Sequence, residues 1–386
     1  MWSLKSAEMN NERIYAIDAL RAIAMFLGVV LHATVAYQAN PIREGWPVDQ
    51  NAEHIYFDYL YLYIHSFRMP LFFLIAGFFC KLLYDKVGVV EFTKRRITRI
   101  VVPFLFGIIL ILPISVYPFL FYQNYFHNTD LLGTFLSSFA DVLQWHGLLH
   151  LWFLYYLIIY YGLTILLREY IVKSKLRTMS MGGGAQIAVF CLVTWIISIS
   201  FFEGIIKAWT GLIVHPGPLL YYGTFFLAGY IMYSKKDKIF FGKRLSWLYF
   251  ACGSICCFIH IFLINGNVSV SNSVEKLTIS LATVFLIFGY LGLFINYLNN
   301  KSFVFLYLSD SAYWIYLIHF PLVVTFQILF IGVTVTSFIK FFTVIILSYA
   351  IGLITYHKFV RYTFLGVILH GSRTKQDLKT VKAKSI

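Results

Sequence analysis

Charge is scarce in this chain: only 12% of its 386 residues are Asp, Glu, Lys or Arg, with 17 acidic against 31 basic. That excludes a water-soluble fold, which must cover its apolar core with polar side chains. Cysteine is also scarce. Cys80, Cys191, Cys252, Cys256 and Cys257 lie in or beside apolar runs, without metal-ligand spacing, and read as core residues. No glycine-rich phosphate loop, dinucleotide fingerprint or Gly-x-Ser-x-Gly elbow occurs, so the common nucleotide-dependent and serine-hydrolase motifs are missing. No internal repeat stands out. A cleavable signal is not expected either, since Glu8 and Glu12 spoil a basic leader and the apolar run that follows is too long.

What the chain has instead is apolar length. Hydrophobic residues make up 60% and aromatics 19%, and mean hydropathy is +0.75. Stretches of about 20 apolar residues recur throughout, each long enough to cross a ~30 Å hydrocarbon core as a helix. They predict spans near 14–37, 57–84, 100–122, 148–167, 184–202, 217–234, 245–264, 275–297, 309–330 and 337–357. The expected fold is therefore all-α: a polytopic integral membrane protein of about ten transmembrane helices. One membrane domain over 1–370 is expected to precede a basic cytoplasmic tail, 371–386. Trp145, Trp152, Tyr155 and Tyr156 are expected at the membrane interface.

The basic residues orient the chain. With the N-terminus in the cytoplasm, the inner segments and the tail hold 25 of the 31 Lys and Arg. The outer loops hold Arg43, Lys207, Lys276 and Lys340, and the remaining two, Arg21 and Arg68, lie inside spans. This asymmetry predicts that both termini are cytoplasmic. It also accounts for the net charge of +14 without nucleic acid, and suits contact with anionic lipid.

Ionisable side chains deep in a span cost ~2.5–3.5 kcal/mol each near the bilayer centre, which makes each a functional candidate. Asp18, Arg21 and His32 stand out in the first span, His65 and Arg68 in the second, and His319 in the ninth. Arg21 and His32 are eleven residues apart, ~16 Å along one helical face that also carries Asp18, Met25 and Gly28. Gly28 there allows a close approach by a partner helix or ligand. Counting depth from the span ends pairs His32 with His65 and Arg21 with Arg68 on two antiparallel neighbours. The plainer readings are an i, i+3 ion pair for Asp18 and Arg21, and an interhelical hydrogen bond for His319. Arg96-x-x-Arg99 puts two guanidiniums on one face at the inner surface, a fork suited to phosphate. His146 and His150 have the i, i+4 spacing of half a zinc site but lack its glutamate, so no metal is expected and an interfacial anchor is the alternative.

Five strings in order resemble one family: IDALRAIAMFLGVVLH, IHSFRMPLFFLIAGFF, RRITRIVVP, HLWFL and YLIHFP. They are similar to motifs of the acyltransferase-3 family of integral-membrane O-acyltransferases, with the second string closest to a branch implicated in succinylating periplasmic glucans. The resemblance implies acyl transfer, acetyl or succinyl, from cytoplasmic acyl-coenzyme A to a hydroxyl of an extracytoplasmic glycan, across a bacterial inner membrane. On that reading His32 is the general base, and Arg21 and Arg68 stabilise developing charge or hold an acyl carboxylate. His65 orients the acceptor or assists proton transfer. Arg96 and Arg99 grip the coenzyme A phosphates, while Asp18, His150, Trp152 and His319 line the substrate. A transporter or flippase of a glycan or small anion is the alternative.

Overall fold

The computed structural model describes residues 14–41, 45–125, 130–167, 183–234, 242–266 and 270–371. All but the first residue of the expected tail, the expected inner segment 1–13, and most of those expected at 168–183 and 235–244 lie outside the described residues. Among those described the chain is helical and has no strand. In order the helices are α1 (Tyr15–Thr34), α2 (Ile55–Arg96), α3 (Val102–Phe106), α4 (Leu112–Tyr125), α5 (Leu131–Val142) and α6 (Trp152–Leu166). There follow α7 (Gly183–Phe201), α8 (Pro216–Ser234), α9 (Gly242–Asn265), α10 (Asn272–Tyr297), α11 (Phe303–Phe330), α12 (Ser337–Thr355) and α13 (Phe364–His370).

Every expected span falls on helix. Eight helical runs among the described residues are long and apolar enough to cross a membrane. One of them, Ile55–Tyr125, is 71 residues long, on the order of 105 Å if straight. It holds two expected spans, joined through π-helical turns at Ile97–Val101 and Gly107–Ile111. It breaks at Gly88, whose φ of 73° is readily taken only by glycine. The 19-residue α8 falls at the expected sixth span, although Pro216 and Gly217 open it. The protein is thus an all-α, multi-pass membrane protein.

Helices in lipid gain little from hydrophobic burial, so they associate through close packing. Two reciprocal glycine pairs supply it. A Cβ added at Gly77 would lie 1.8 Å from the Phe226 carbonyl oxygen, and one at Gly229 would lie 1.8 Å from that of Leu74, so α2 and α8 touch backbone to backbone. Gly253 and Gly289 do the same for α9 and α10, each with a Cβ position 2.6 Å from a backbone nitrogen of the other helix. At the centre stands α1, packed against α2, α10, α11 and α12.

Three of the prolines in the helical segments, Pro70, Pro103 and Pro321, each free a carbonyl four residues back that finds another donor. Pro70 frees Ser66, whose oxygen accepts from Thr283 Oγ1 at 2.8 Å. Pro103 frees Arg99, which accepts from the Tyr313 hydroxyl at 3.0 Å. Pro321 frees Leu317, which is 3.0 Å from His150 Nε2. Each proline therefore ties its helix to a neighbour.

Candidate active site

Three histidines from three elements converge near the end of α1 that leads into the 38–54 loop. His32 on α1 lies 5.3 Å, ring to ring, from His319 on α11, which lies 5.5 Å from His150 at the entry to α6. Phe320 packs against His32 and His150 at 5.1 and 5.0 Å. The rings of His150 and His319 are oriented by backbone carbonyls, which only accept. His319 Nδ1 donates to the Tyr316 carbonyl at 2.7 Å, and His150 Nε2 donates to the Leu317 carbonyl freed by Pro321. In the neutral rings the remaining nitrogens, His319 Nε2 and His150 Nδ1, are therefore lone pairs. Both are buried without a hydrogen-bond partner among the described residues. Leu149, at φ 44°, holds an uncommon left-handed backbone just before His150. The Tyr316 hydroxyl bonds the His150 carbonyl at 2.6 Å. All three histidines are buried.

Arg68 reaches this group from α2. A Cβ at Gly28 would lie 2.6 Å from Arg68 Nη1, so the guanidinium occupies the space that glycine leaves, one turn below His32. The close approach expected at Gly28 is an arginine.

His65 and Arg21 also make contacts outside the pairings expected from depth. His65 bonds the Ile206 carbonyl at 2.9 Å and stacks on Tyr61, lining a small cavity with Ser66, Tyr221, Tyr222 and His260. Three residues separate His65 from Arg68, about 60° around the helix. The short imidazole stays on its own face, while the longer arginine bends across to Gly28. Arg21 stands lower on α1 than Gly28, the glycine that Arg68 meets. It bonds Ser309 Oγ and lies 3.5 Å from Asp18, the i, i+3 pair, with its side chain 36% exposed. Seven residues, ~10 Å, separate it from the level of Gly28. His146 is exposed while His150 is buried, and the segment between them is not an α-helix, so they do not form half a metal site. Trp152 and Tyr156, expected at the interface, are buried; Trp152 packs on Phe73 and Tyr222.

At the opposite end of the bundle, Arg96 and Arg99 straddle the start of the π-turn Ile97–Val101. The Arg96 guanidinium lies 4.7 Å over Tyr161 and 5.2 Å over Phe92. Arg99 is exposed, and a Cβ at Gly371 would lie 3.1 Å from its Nη2.

A strap was not anticipated from the motifs. Trp46, in the described stretch 45–54 ahead of α2, covers the histidines, stacked 5.9 Å from His32 and edge-on to Phe320 at 5.4 Å. Gln327 on α11 accepts from Trp46 Nε1 at 3.0 Å and donates to the carbonyls of His32 and Ala33. A buried ion pair, Lys340 with Asp49, fastens the strap to α12. The Asp58 carboxylate accepts from the Ala39 and Asn40 amides. Gln327 was a detectable signal, a polar residue two turns beyond His319. Asp49 was not, since a loop aspartate reads as solvated.

Comparison with known proteins decides the family. A family model for acyltransferase-3, described as an acyltransferase domain, matches residues 14–357. The chain belongs to the acyltransferase-3 family. Proteins named Glucans biosynthesis protein C from Salmonella schwarzengrund, Salmonella typhi and Salmonella typhimurium are each 26% identical to it over 385 residues, covering 93% of this chain and 95% of the relative. No solved structure matches. As an acyltransferase-3 protein, the chain is a membrane acyltransferase.

Proposed function

We propose that the protein transfers an acyl group, acetyl or succinyl, from acyl-coenzyme A to a hydroxyl of an extracytoplasmic glycan in the bacterial inner membrane, with both termini cytoplasmic. The likeness to glucan biosynthesis proteins favours a glucan as acceptor. One observation carries this reading: the buried His32, His150 and His319 gather beneath Trp46, with Arg68 filling the space at Gly28 one turn from His32. The donor enters from the Arg96 and Arg99 end, with its thioester passing up the Asp18, Arg21, Gly28 face of α1. The acceptor enters from the strap end.

In this reaction the acceptor oxygen attacks the thioester carbonyl carbon while His32 takes the hydroxyl proton, a task for a group with affinity near neutral pH. The carbonyl oxygen becomes an oxyanion, and Arg68 stabilises it with its positive charge. Collapse breaks the carbon–sulfur bond, and the protonated His32 returns its proton to the leaving thiolate. His150 and His319 present lone pairs that accept hydrogen bonds from acceptor hydroxyls. Arg21 holds the donor lower down, and succinyl gives it a carboxylate to bind. His65 and Trp152 shape the acceptor side.

The test is His32→Gln, which keeps bulk and hydrogen bonding but has no useful proton affinity. Transfer from labelled acyl-coenzyme A should fall about 10²–10⁴-fold, with donor binding and melting temperature retained. Transfer within a few-fold of wild type moves the base to another residue.

A further inference from the structure

The donor end holds one more arginine that the motifs do not include. Arg361 follows the π-turn Tyr356–Val360 that ends α12, and only 8% of it is exposed. Its guanidinium carbon lies 4.7 Å from the Tyr307 ring and 5.6 Å from the Tyr362 ring. Among the described residues no carboxylate forms an ion pair with it, and its Nε and Nη1 are buried without a hydrogen-bond partner. A cation removed from water costs several kcal/mol unless an anion and hydrogen bonds replace that water. The aromatic faces hold the plane of the group and Tyr307 also hydrogen-bonds it, but neither ring supplies a countercharge and Nε and Nη1 stay unsatisfied.

The location says which anion. α13 runs from Arg361 to Arg99. A Cβ at Gly366 would lie 2.9 Å from the Arg361 carbonyl oxygen, and one at Gly371 would lie 3.1 Å from Arg99 Nη2. Five residues, ~7.5 Å of helix, separate the two glycines. The first turns of α11 lie between, with Tyr307 under Arg361 and Tyr313 bonded to Arg99. The Arg361 backbone near one end of α13 and the Arg99 guanidinium at the other put the two arginines at separate positions, which suits a ligand with phosphates at two places, as on the 3′ and 5′ oxygens of one ribose.

We propose that Arg361 binds the 3′-phosphate of the donor nucleotide, with Arg96 and Arg99 left to the 5′-diphosphate. This rests on the donor-end reading above. The same phosphate chemistry occurs in phospholipid headgroups, and the experiment separates the two.

The full-length protein in nanodiscs is titrated calorimetrically with coenzyme A and with 3′-dephospho-coenzyme A. Wild type should prefer coenzyme A by about 10- to 100-fold, the range of one charge-assisted phosphate contact. Arg361→Gln should lose that factor for coenzyme A alone, so that the two ligands bind alike. Arg361→Lys keeps the charge without the planar stack and should regain only part of it, which provides a folded variant if the glutamine protein does not assemble. An unchanged preference in the variants overturns the assignment. So does a loss seen only as thermal stabilisation by phosphatidylglycerol over phosphatidylcholine discs, which would make a lipid phosphate the ligand. If wild type binds neither nucleotide, the donor-end reading itself fails.

Discussion

Gly28→Ala separates chemistry from stability. The new Cβ would sit 2.6 Å from Arg68 Nη1, about 0.8 Å inside the 3.4 Å at which ordinary contact begins. Two responses are open: α1 and α2 move apart, or the guanidinium retreats. The retreat is cheaper, because the contact is the far end of a long side chain, and an off-rotamer χ costs only ~0.5–1.5 kcal/mol. Alanine in a helix interior returns up to ~1 kcal/mol relative to glycine. Stability should therefore change by no more than ~1 kcal/mol in either direction. Activity should change much more. A misplacement near 1 Å of a group aimed at the reacting centre costs up to ~10²-fold, so transfer should fall about 10- to 100-fold. Transfer of labelled acyl groups in proteoliposomes gives the rate, and a thermal melt of the same preparation gives the stability. Unchanged transfer with an unchanged melt would refute the placement of Arg68 at the reacting atoms. A melt that collapses along with the rate would make Gly28 a packing residue instead.

Lys340→Met strands Asp49 as a buried charge and should cost ~3–5 kcal/mol in a chemical or thermal melt, whereas Lys340→Met with Asp49→Leu should recover most of it; equal losses in both would mean that the pair is solvated. Gly229→Ala places a Cβ 1.8 Å from a backbone oxygen that cannot rotate away, so α2 and α8 must separate at ~1–3 kcal/mol or more. Its melting temperature should fall while the surviving protein keeps its activity per folded molecule, and an unchanged melt would exclude the backbone contact.

Much of the fold is legible in one dimension because lipid leaves few choices: an apolar run of 20 residues has to be a helix. The face of α1 that carries Asp18, Arg21, Gly28 and His32 is legible for the same reason, since spacing alone sets it. Which neighbour meets that face is not. Depth counting matched His32 to His65 as though α1 and α2 were the only helices, yet α10, α11 and α12 also surround α1. His32 turned out to face α11, whose His319 lies some 290 residues away in sequence. The strap was hidden for a different reason. Asp49 and Lys340 are each unremarkable in a loop or at a span end, and only tertiary packing turns them into a buried pair.

The prolines mark the boundary between what can and cannot be read. A proline in a membrane helix announces an orphaned carbonyl four residues earlier, and with no water at that depth some side chain must donate to it. Pro70, Pro103 and Pro321 thus point from the sequence alone to Ser66, Arg99 and Leu317 as acceptors. The donors, Thr283, Tyr313 and His150, are fixed by which helices pack together, and nothing local names them. For Pro321 the consequence reaches the chemistry. The carbonyl it frees holds the Nε2 proton of His150, which leaves Nδ1 as the lone pair in the site. A residue with no functional group of its own thereby sets the tautomer of one that has two.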